Sequence, residues 1–284
     1  MIFSTLVSTD ELARHLDDPN WIAFDCRHDL AEPGAGERDY ARSHVPGARF
    51  LHVDRDLAGP RSGKNGRHPL PDPEVFIAKL GAAGVDNGKQ VIVYDAQGGA
   101  MCARLWWMLR FWLGHDSCAV LDGGWGKWLR EGHPTTSEIP VILAATLHAT
   151  ARDVAVDARF VLAAMGSSRC LLLDARAPER YRGDAETIDP VAGHVPGARN
   201  RFFRGNLAPD GTFKPAAALG KEYESLLNGV APGNVVHHCG SGVSACHNVL
   251  AMAHAGFAPG RLYVGSWSEW CADPSRPVAR GANA

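Results

Sequence analysis

The 284-residue chain has no run rich in Lys and Arg, and its formal charge is only −2. Nucleic acids and anionic membrane surfaces are bound through basic patches, so neither partner is expected. No uninterrupted apolar stretch approaches the roughly 20 residues that a membrane-spanning helix needs. The N-terminus, MIFSTLVSTDELARHL, has neither a cationic start nor a long apolar core. It does not read as a secretory signal, and the cytoplasm is the expected location. Cysteine is sparse: seven occur, at 26, 102, 118, 170, 239, 246 and 271. An odd, scattered set without an export signal argues against a disulfide framework. No Cys-x2-Cys pair supplies the short spacing usual in a structural zinc site. The rest is ordinary for a globular protein, with 45% hydrophobic and 21% charged residues. The length suggests about two domains.

The chain contains itself twice. HVPGAR at 44–49 returns at 194–199, FDCR at 24–27 is echoed by LDAR at 173–176, and VLDGGWGKW at 120–128 by LYVGSWSEW at 262–270. Three landmarks in one order, at nearly one spacing, indicate two homologous domains. Each copy opens on a helical segment with a capping Ser or Asp (STDELARHL, VDARFVLAAM). A strand ending in Asp-x-Arg follows, then His-Val-Pro-Gly-Ala and a second helix closed by Gly. A second apolar strand (QVIVYDA, NVVHHC) runs into a small-residue turn and a strongly apolar helix. A last strand ends in Gly-x-Trp. Strands alternating with helices predict an α/β fold class: two tandem domains, each a parallel sheet flanked by helices. The expected boundaries are 1–137 for the first domain, 138–149 for an aperiodic linker and 150–284 for the second domain. Features present in both copies cannot explain chemistry confined to one. Asp25 with Arg27, Asp174 with Arg176, and His44 with His194 are therefore expected to be structural. The tryptophans are expected mainly in the core, with Trp267 a candidate pocket wall.

The decisive stretch is HHCGSGVSAC, residues 237–246. By residue type alone, Cys239 is a nucleophile, a metal ligand, half of a disulfide or a small buried residue. Its place narrows the choice. In open α/β sheets, ligands bind where strand C-termini feed helix N-termini. Cys239 ends the strand NVVHH, and the turn CGSGVS leads into the helix ACHNVLAMAHAG. Successive backbone N–H groups and the helix dipole favour an anion there, and hence a reactive thiolate. Gly240 and Gly242 permit a tight ring of N–H groups. Aligning QVIVYDA with NVVHHC puts Ala96 opposite Cys239 and Cys102 opposite Ala245. On that reading the second domain is catalytic and the first is scaffold. His237 and His238 are expected as wall or core residues and Cys246 as buried. No metal and no cofactor are expected.

These residues resemble the rhodanese-type sulfurtransferases. The likeness rests on the tandem copies, the silent first loop, CGSGVSA, the paired His-Val-Pro-Gly-Ala and the terminal GSWSEW, and it spans essentially the whole chain. The loop is similar to the 3-mercaptopyruvate form; the thiosulfate form places Arg-Lys where Gly240 and Ser241 stand. The resemblance implies ping-pong transfer. Cys239 takes a sulfane sulfur from 3-mercaptopyruvate or thiosulfate as a persulfide, within a loop formed by Gly240, Gly242, Val243 and Ser244. It then passes that sulfur to a thiol such as thioredoxin or glutathione, or to cyanide. The resemblance also implies a Ser-His-Asp group made of Ser241, His68 (from GRHPLP) and Asp54 (from FLHVD). Arg180 (from ERYRG) is the implied donor-binding arginine. The family's second arginine falls on Asp189 here, and Arg182 is the candidate substitute.

Two rival classes differ in one residue each. A cysteine-based phosphatase or arsenate reductase needs arginine six positions after its cysteine, where this chain has Ala245. A non-catalytic sulfide-sensing module of the same fold commonly lacks the cysteine that stands here at 239.

Overall fold

The computed structural model describes residues 2–282. Two compact units are present. One comprises Met1–Gly59, Leu70–Asp153 and Pro209–Phe213; the other comprises Pro60–Pro69, Val154–Ala208 and Lys214–Ala284. Residues 60–69, early in the sequence, are thus part of the second unit, and residues 209–213 part of the first.

The first unit holds β1 (Leu6–Val7), α1 (Thr9–Arg14), β2 (Trp21–Asp25), α2 (Ala35–Arg42), β3 (Arg49–Phe50), α3 (Pro73–Ala82), β4 (Gln90–Tyr94), α4 (Cys102–Trp107), β5 (Cys118–Leu121) and α5 (Gly124–Arg130). Its five strands are parallel in the order β1-β5-β4-β2-β3. The second unit holds β6 (Ala155–Val156), α6 (Ala158–Ala164), β7 (Leu171–Asp174), α7 (Pro178–Arg182), β8 (Arg199–Asn200), α8 (Ala216–Leu227), β9 (Val235–His238), α9 (Ala245–His254), β10 (Arg261–Tyr263) and α10 (Ser266–Trp270). Its order is β6-β10-β9-β7-β8, again parallel. This is the α/β architecture expected from the alternating pattern. The central strands are buried on both faces, which is why they read as apolar runs rather than as alternations. No described helix is long and apolar enough to cross a membrane.

Local signals account for the helix starts. The Ser8 side chain accepts the Glu11 N–H at α1, Asp157 accepts the Phe160 N–H at α6, and Asp72 accepts two N–H groups at α3 ahead of Pro73. The apolar helix after β4 is regular only to Trp107 and then widens into a π-turn over Met108–Trp112.

The residues common to both copies are structural. Arg27 pairs with Asp25 and donates to the Ser43 carbonyl, while Arg176 pairs with Asp174 and donates to the Gly193 carbonyl. Each guanidinium lies over a tryptophan, Arg27 over Trp125 at 4.6 Å and Arg176 over Trp267 at 4.8 Å. Trp267 is fully buried under that arginine and is a core residue. His44 stacks on Tyr40 and bonds its carbonyl, and His194 does the same with Tyr181.

Strand register corrects one expectation. Asp25 pairs with Tyr94 in the first sheet, and Asp174 with His238 in the second. Tyr94 therefore corresponds to His238, and the residue opposite Cys239 is Asp95, not Ala96. A second pair of bonds agrees: the Trp125 N–H reaches the Asp95 carbonyl at 2.8 Å, and the Trp267 N–H reaches the Cys239 carbonyl at 3.0 Å. Cys102 then lies opposite Cys246, not Ala245. The alignment slipped by one residue because a strand buried on both faces has no in-out alternation to fix its register.

Candidate active site

Cys239 leaves β9 and is almost entirely buried, 2% exposed. Its N–H is accepted by Ser266 Oγ at 3.1 Å, and Ser266 Oγ in turn donates to the Tyr263 carbonyl at 2.8 Å. Ser266 holds φ +53, a left-handed conformation that a side chain resists. The matching residue of the first unit is Gly124, at φ +54. The second unit thus keeps a strained serine where a glycine suffices, and that hydroxyl fixes the backbone of Cys239.

The loop curls around the sulfur. The Gly242 N–H points at Cys239 Sγ at 3.2 Å. Gly242 has φ +77, and a Cβ there would lie 2.3 Å from the Val264 carbonyl oxygen, so only glycine fits. Val243 is buried, and Ser244 is the N-cap of α9. The carbonyls of Cys239 and Gly240 accept the N–H groups of Trp267 and Ser268. These two bonds tie the start of the loop to α10. Behind the loop, the Cys246 thiol lies 3.4 Å from the Gly242 carbonyl. The seven cysteines, all among the described residues, form no disulfide.

Ser241 and His68 come together. Ser241 Oγ lies 2.7 Å from His68 Nδ1, and both residues are buried. His68 reaches this place because segment 60–69 packs in the second unit. The segment is held by the Arg67 N–H donating to Ser268 Oγ, and by Gly66, whose backbone lies against Gly265. Asp54 belongs to the first unit, where its carboxylate lies 3.8 Å from His28 Nε2.

Charge gathers beside Gly240. Arg180 grips Glu186 through Nε and Nη2 at 2.9–3.1 Å, and Nη2 also reaches Asp189 Oδ2 at 3.1 Å. The other Asp189 oxygen is taken by Arg67 Nη1. Burial alone raises Glu186, but the hydrogen bonds from Arg180 and the backbone N–H groups of Ile188 and Asp189 hold it below the usual carboxylate range. At Asp189 burial wins, and its carboxyl is pushed up despite Arg67. Both carboxylates are hidden, whereas the two arginines remain part-exposed. A Cβ on Gly240 would come within 2.8 Å of Arg67 Nη2 and 3.6 Å of Arg180 Nη1. Arg182 does not join this group; it pairs with Asp184 at the surface. Sequence reasoning missed Arg67, although it adjoins His68.

Behind the site, His238 Nδ1 lies 3.9 Å from Asp174. Burial keeps both His237 and His238 neutral, with His237 pushed down to about 3. They are core residues of the strand.

The first unit's loop is filled from within. The Asp95 carboxylate accepts the N–H groups of Gln97 and Gly99 on Oδ1, both at 2.8 Å, and of Met101 and Cys102 on Oδ2, at 2.7 and 3.0 Å. That loop has an anion of its own at its centre, at the position matched by the Cys239 side chain.

Comparison with known proteins places both units in one group. Residues 8–131 and 157–273 match the rhodanese-like domain. A Pseudomonas aeruginosa protein described as a probable 3-mercaptopyruvate sulfurtransferase is 44% identical over 284 residues, covering 99% of this chain and all of its own. The thiosulfate sulfurtransferase of Bos taurus is 36% identical over 297 residues, covering 95% of this chain and 97% of its own. Among solved structures, SseA from Escherichia coli superposes with TM-score 0.76 at 31% identity, over 93% of this chain and 99% of that one. The 3-mercaptopyruvate sulfurtransferase from Leishmania major gives 0.82 at 29% identity, over 94% and 74%.

Proposed function

The chain belongs to the rhodanese-like family, and from that premise we propose that it is a sulfurtransferase that carries sulfur on Cys239. The observation that carries this reading is the contrast between the loops: four N–H groups close on a carboxylate after β4, whereas after β9 the equivalent turn points its Gly242 N–H at a thiol. A small anion at the sulfur position satisfies those donors. The outer sulfur of a persulfide is such an anion.

The proposed reaction has two halves. The Cys239 thiolate attacks the sulfane sulfur of the donor. The S–C bond of 3-mercaptopyruvate or the S–S bond of thiosulfate breaks; the electron pair leaves with pyruvate, as its enolate, or with sulfite. The loop N–H groups of Gly240, Gly242, Val243 and Ser244 face the resulting persulfide anion. An acceptor thiol such as thioredoxin or glutathione, or cyanide, then removes the outer sulfur and regenerates the Cys239 thiolate. Ser241 and His68, 2.7 Å apart, are positioned to deliver a proton to the enolate carbon of the leaving pyruvate through the hydroxyl. Arg180 binds the donor's anionic end. The proposed location is the cytoplasm, which accords with cysteines that form no disulfide.

A phosphatase reading is disfavoured at Ala245, which offers no guanidinium to a phosphoryl group. The test is intact mass after exposure to 3-mercaptopyruvate or thiosulfate. The wild type is expected to gain one sulfur atom, mapped to Cys239, and Cys239→Ser to gain none and turn over nothing. A folded wild type that forms no adduct with either donor sinks the reading.

A further inference from the structure

The Asp-x-Arg strand of the second unit leads into α7, which contributes one cation to the site, Arg180. Nine residues later stands a carboxylate, Asp189. That carboxylate holds two arginines. One oxygen is bonded by Arg180 and the other by Arg67, so a single hidden side chain spaces two guanidiniums. Each guanidinium has five N–H donors in a fixed fork. Arg180 spends Nε and Nη2 on Glu186 and Asp189, and Arg67 spends Nη1 on Asp189. The nitrogens left over, Arg180 Nη1 and Arg67 Nη2, both lie over Gly240, next to Cys239, with Arg180 Nη2 as near as Nη1.

We propose that Arg67 is the second donor-binding cation of the site and that Asp189 is the positioning residue that braces Arg67 and Arg180 so that the donor's anionic tail binds across Arg180 Nη1 and Arg67 Nη2. The tail is the carboxylate of 3-mercaptopyruvate or the sulfonate oxygens of thiosulfate; the shared chemistry is a small oxyanion joined to a transferable sulfur. This rests on the sulfur-transfer reading above and names how its donor is chosen. Gly240 suits the same geometry, because a Cβ there would crowd Arg67 Nη2. The carboxylates explain why two cations stay fixed side by side before the donor arrives: Glu186 and Asp189 offset their mutual repulsion, and little ordering remains to be done on binding.

The experiment has a kinetic arm and a binding arm. With each donor that the wild type uses, Arg67→Gln is expected to raise KM at least ~10-fold while kcat stays within ~3-fold, since the lost contact serves binding rather than chemistry. Arg67→Lys, which keeps the charge but not the fork, is expected to fall between. Asp189→Ala is expected to raise KM nearly as far, and the double variant no further than Arg67→Gln alone, because the two act as one unit. Melting temperatures measured alongside separate these effects from unfolding. In the binding arm, pyruvate and sulfate are titrated into wild type and Arg67→Gln and followed by NMR. Weakening at least ~10-fold in the variant supports the proposal, even should the wild type form no sulfur adduct, in which case only the sulfur-transfer reading falls. Unchanged KM with every donor used, multiplicative effects of Arg67 and Asp189, or anion binding that is equal in both proteins or absent from both, each overturn it.

Discussion

The loop after β4 and the loop after β9 start from equivalent strand ends, turn through equivalent glycines, Gly98 at φ +69 and Gly242 at φ +77, and enter equivalent helices. They differ in what fills them. After β4, Asp95 places both carboxylate oxygens in the ring and accepts four N–H groups. After β9, a thiol stands in place of the carboxylate: the Gly242 N–H points at it, and the Cys246 N–H bonds the Val243 carbonyl. A buried N–H without a good acceptor is costly, so the second loop holds a standing demand for an anion, which the first has met permanently. The accompanying residues follow suit. Arg180 of the second unit corresponds to Asp39 in the first, as the stacked pairs Tyr181–His194 and Tyr40–His44 require. On the proposed reading the silence of the first copy has two causes: Asp95 already fills its ring, and no cysteine stands where the second unit has Cys239.

The largest effect should come from making the loops alike. Cys239→Asp is expected to abolish sulfur transfer, by roughly 10^4-fold or more, and also to raise the melting temperature, because the new carboxylate gathers the loop N–H groups as Asp95 does. Charge-assisted bonds of that kind each contribute about 1.5–3 kcal/mol. A scan of thermal unfolding beside the activity assay checks both halves. A variant that melts several degrees lower than wild type breaks the equivalence of the loops.

The converse change removes the internal anion. Asp95→Asn replaces one acceptor oxygen by an NH2 group facing backbone N–H donors. The expected loss is about 3 kcal/mol, which lowers the melting temperature by roughly 5–10 °C at this chain length. Well below the transition, kcat/KM should stay within about twofold of wild type, since Asp95 stands in the unit that does not hold Cys239. An unchanged melting temperature means that the four bonds do not hold that loop together.

Much of this contrast could be read from the sequence, and the part that could not has physical causes. The repeats HVPGAR and Asp-x-Arg exposed the two units, because both copies need the same arginine-tryptophan and histidine-tyrosine stacks. Cys239 stood out because glycines at a strand-to-helix turn have few uses besides an anion ring. The partner of Cys239 was misjudged by one residue, since QVIVY and VVHH are buried throughout and carry no alternation. Asp95 is better seen from hydrogen bonds than from letters. Arg67 was invisible for another reason. It meets Asp189 across 122 positions and Ser268 across 201, and only the packing of segment 60–69 in the second unit brings them together. Adjacency to His68 was the one available hint.

The smallest expected effect concerns the strands rather than the loops. His237 corresponds to Val93, one residue before the pair Tyr94 and His238. Burial, and then the neighbouring His238, push His237 down to about 3, whereas an unfolded histidine takes up its proton near pH 6.5. Between those values the unfolded chain binds more protons than the folded one, so stability falls as pH drops from about 6.5 toward 3. Val93 carries no such liability. His237→Val, importing the first sheet's residue, should leave the melting temperature at pH 7.5 within a few degrees of wild type and reduce its decline between pH 7.5 and pH 5. The decline should not vanish, because burial also depresses His238. Equal slopes for variant and wild type place the acid sensitivity outside His237, and make its replacement of Val93 neutral toward acid.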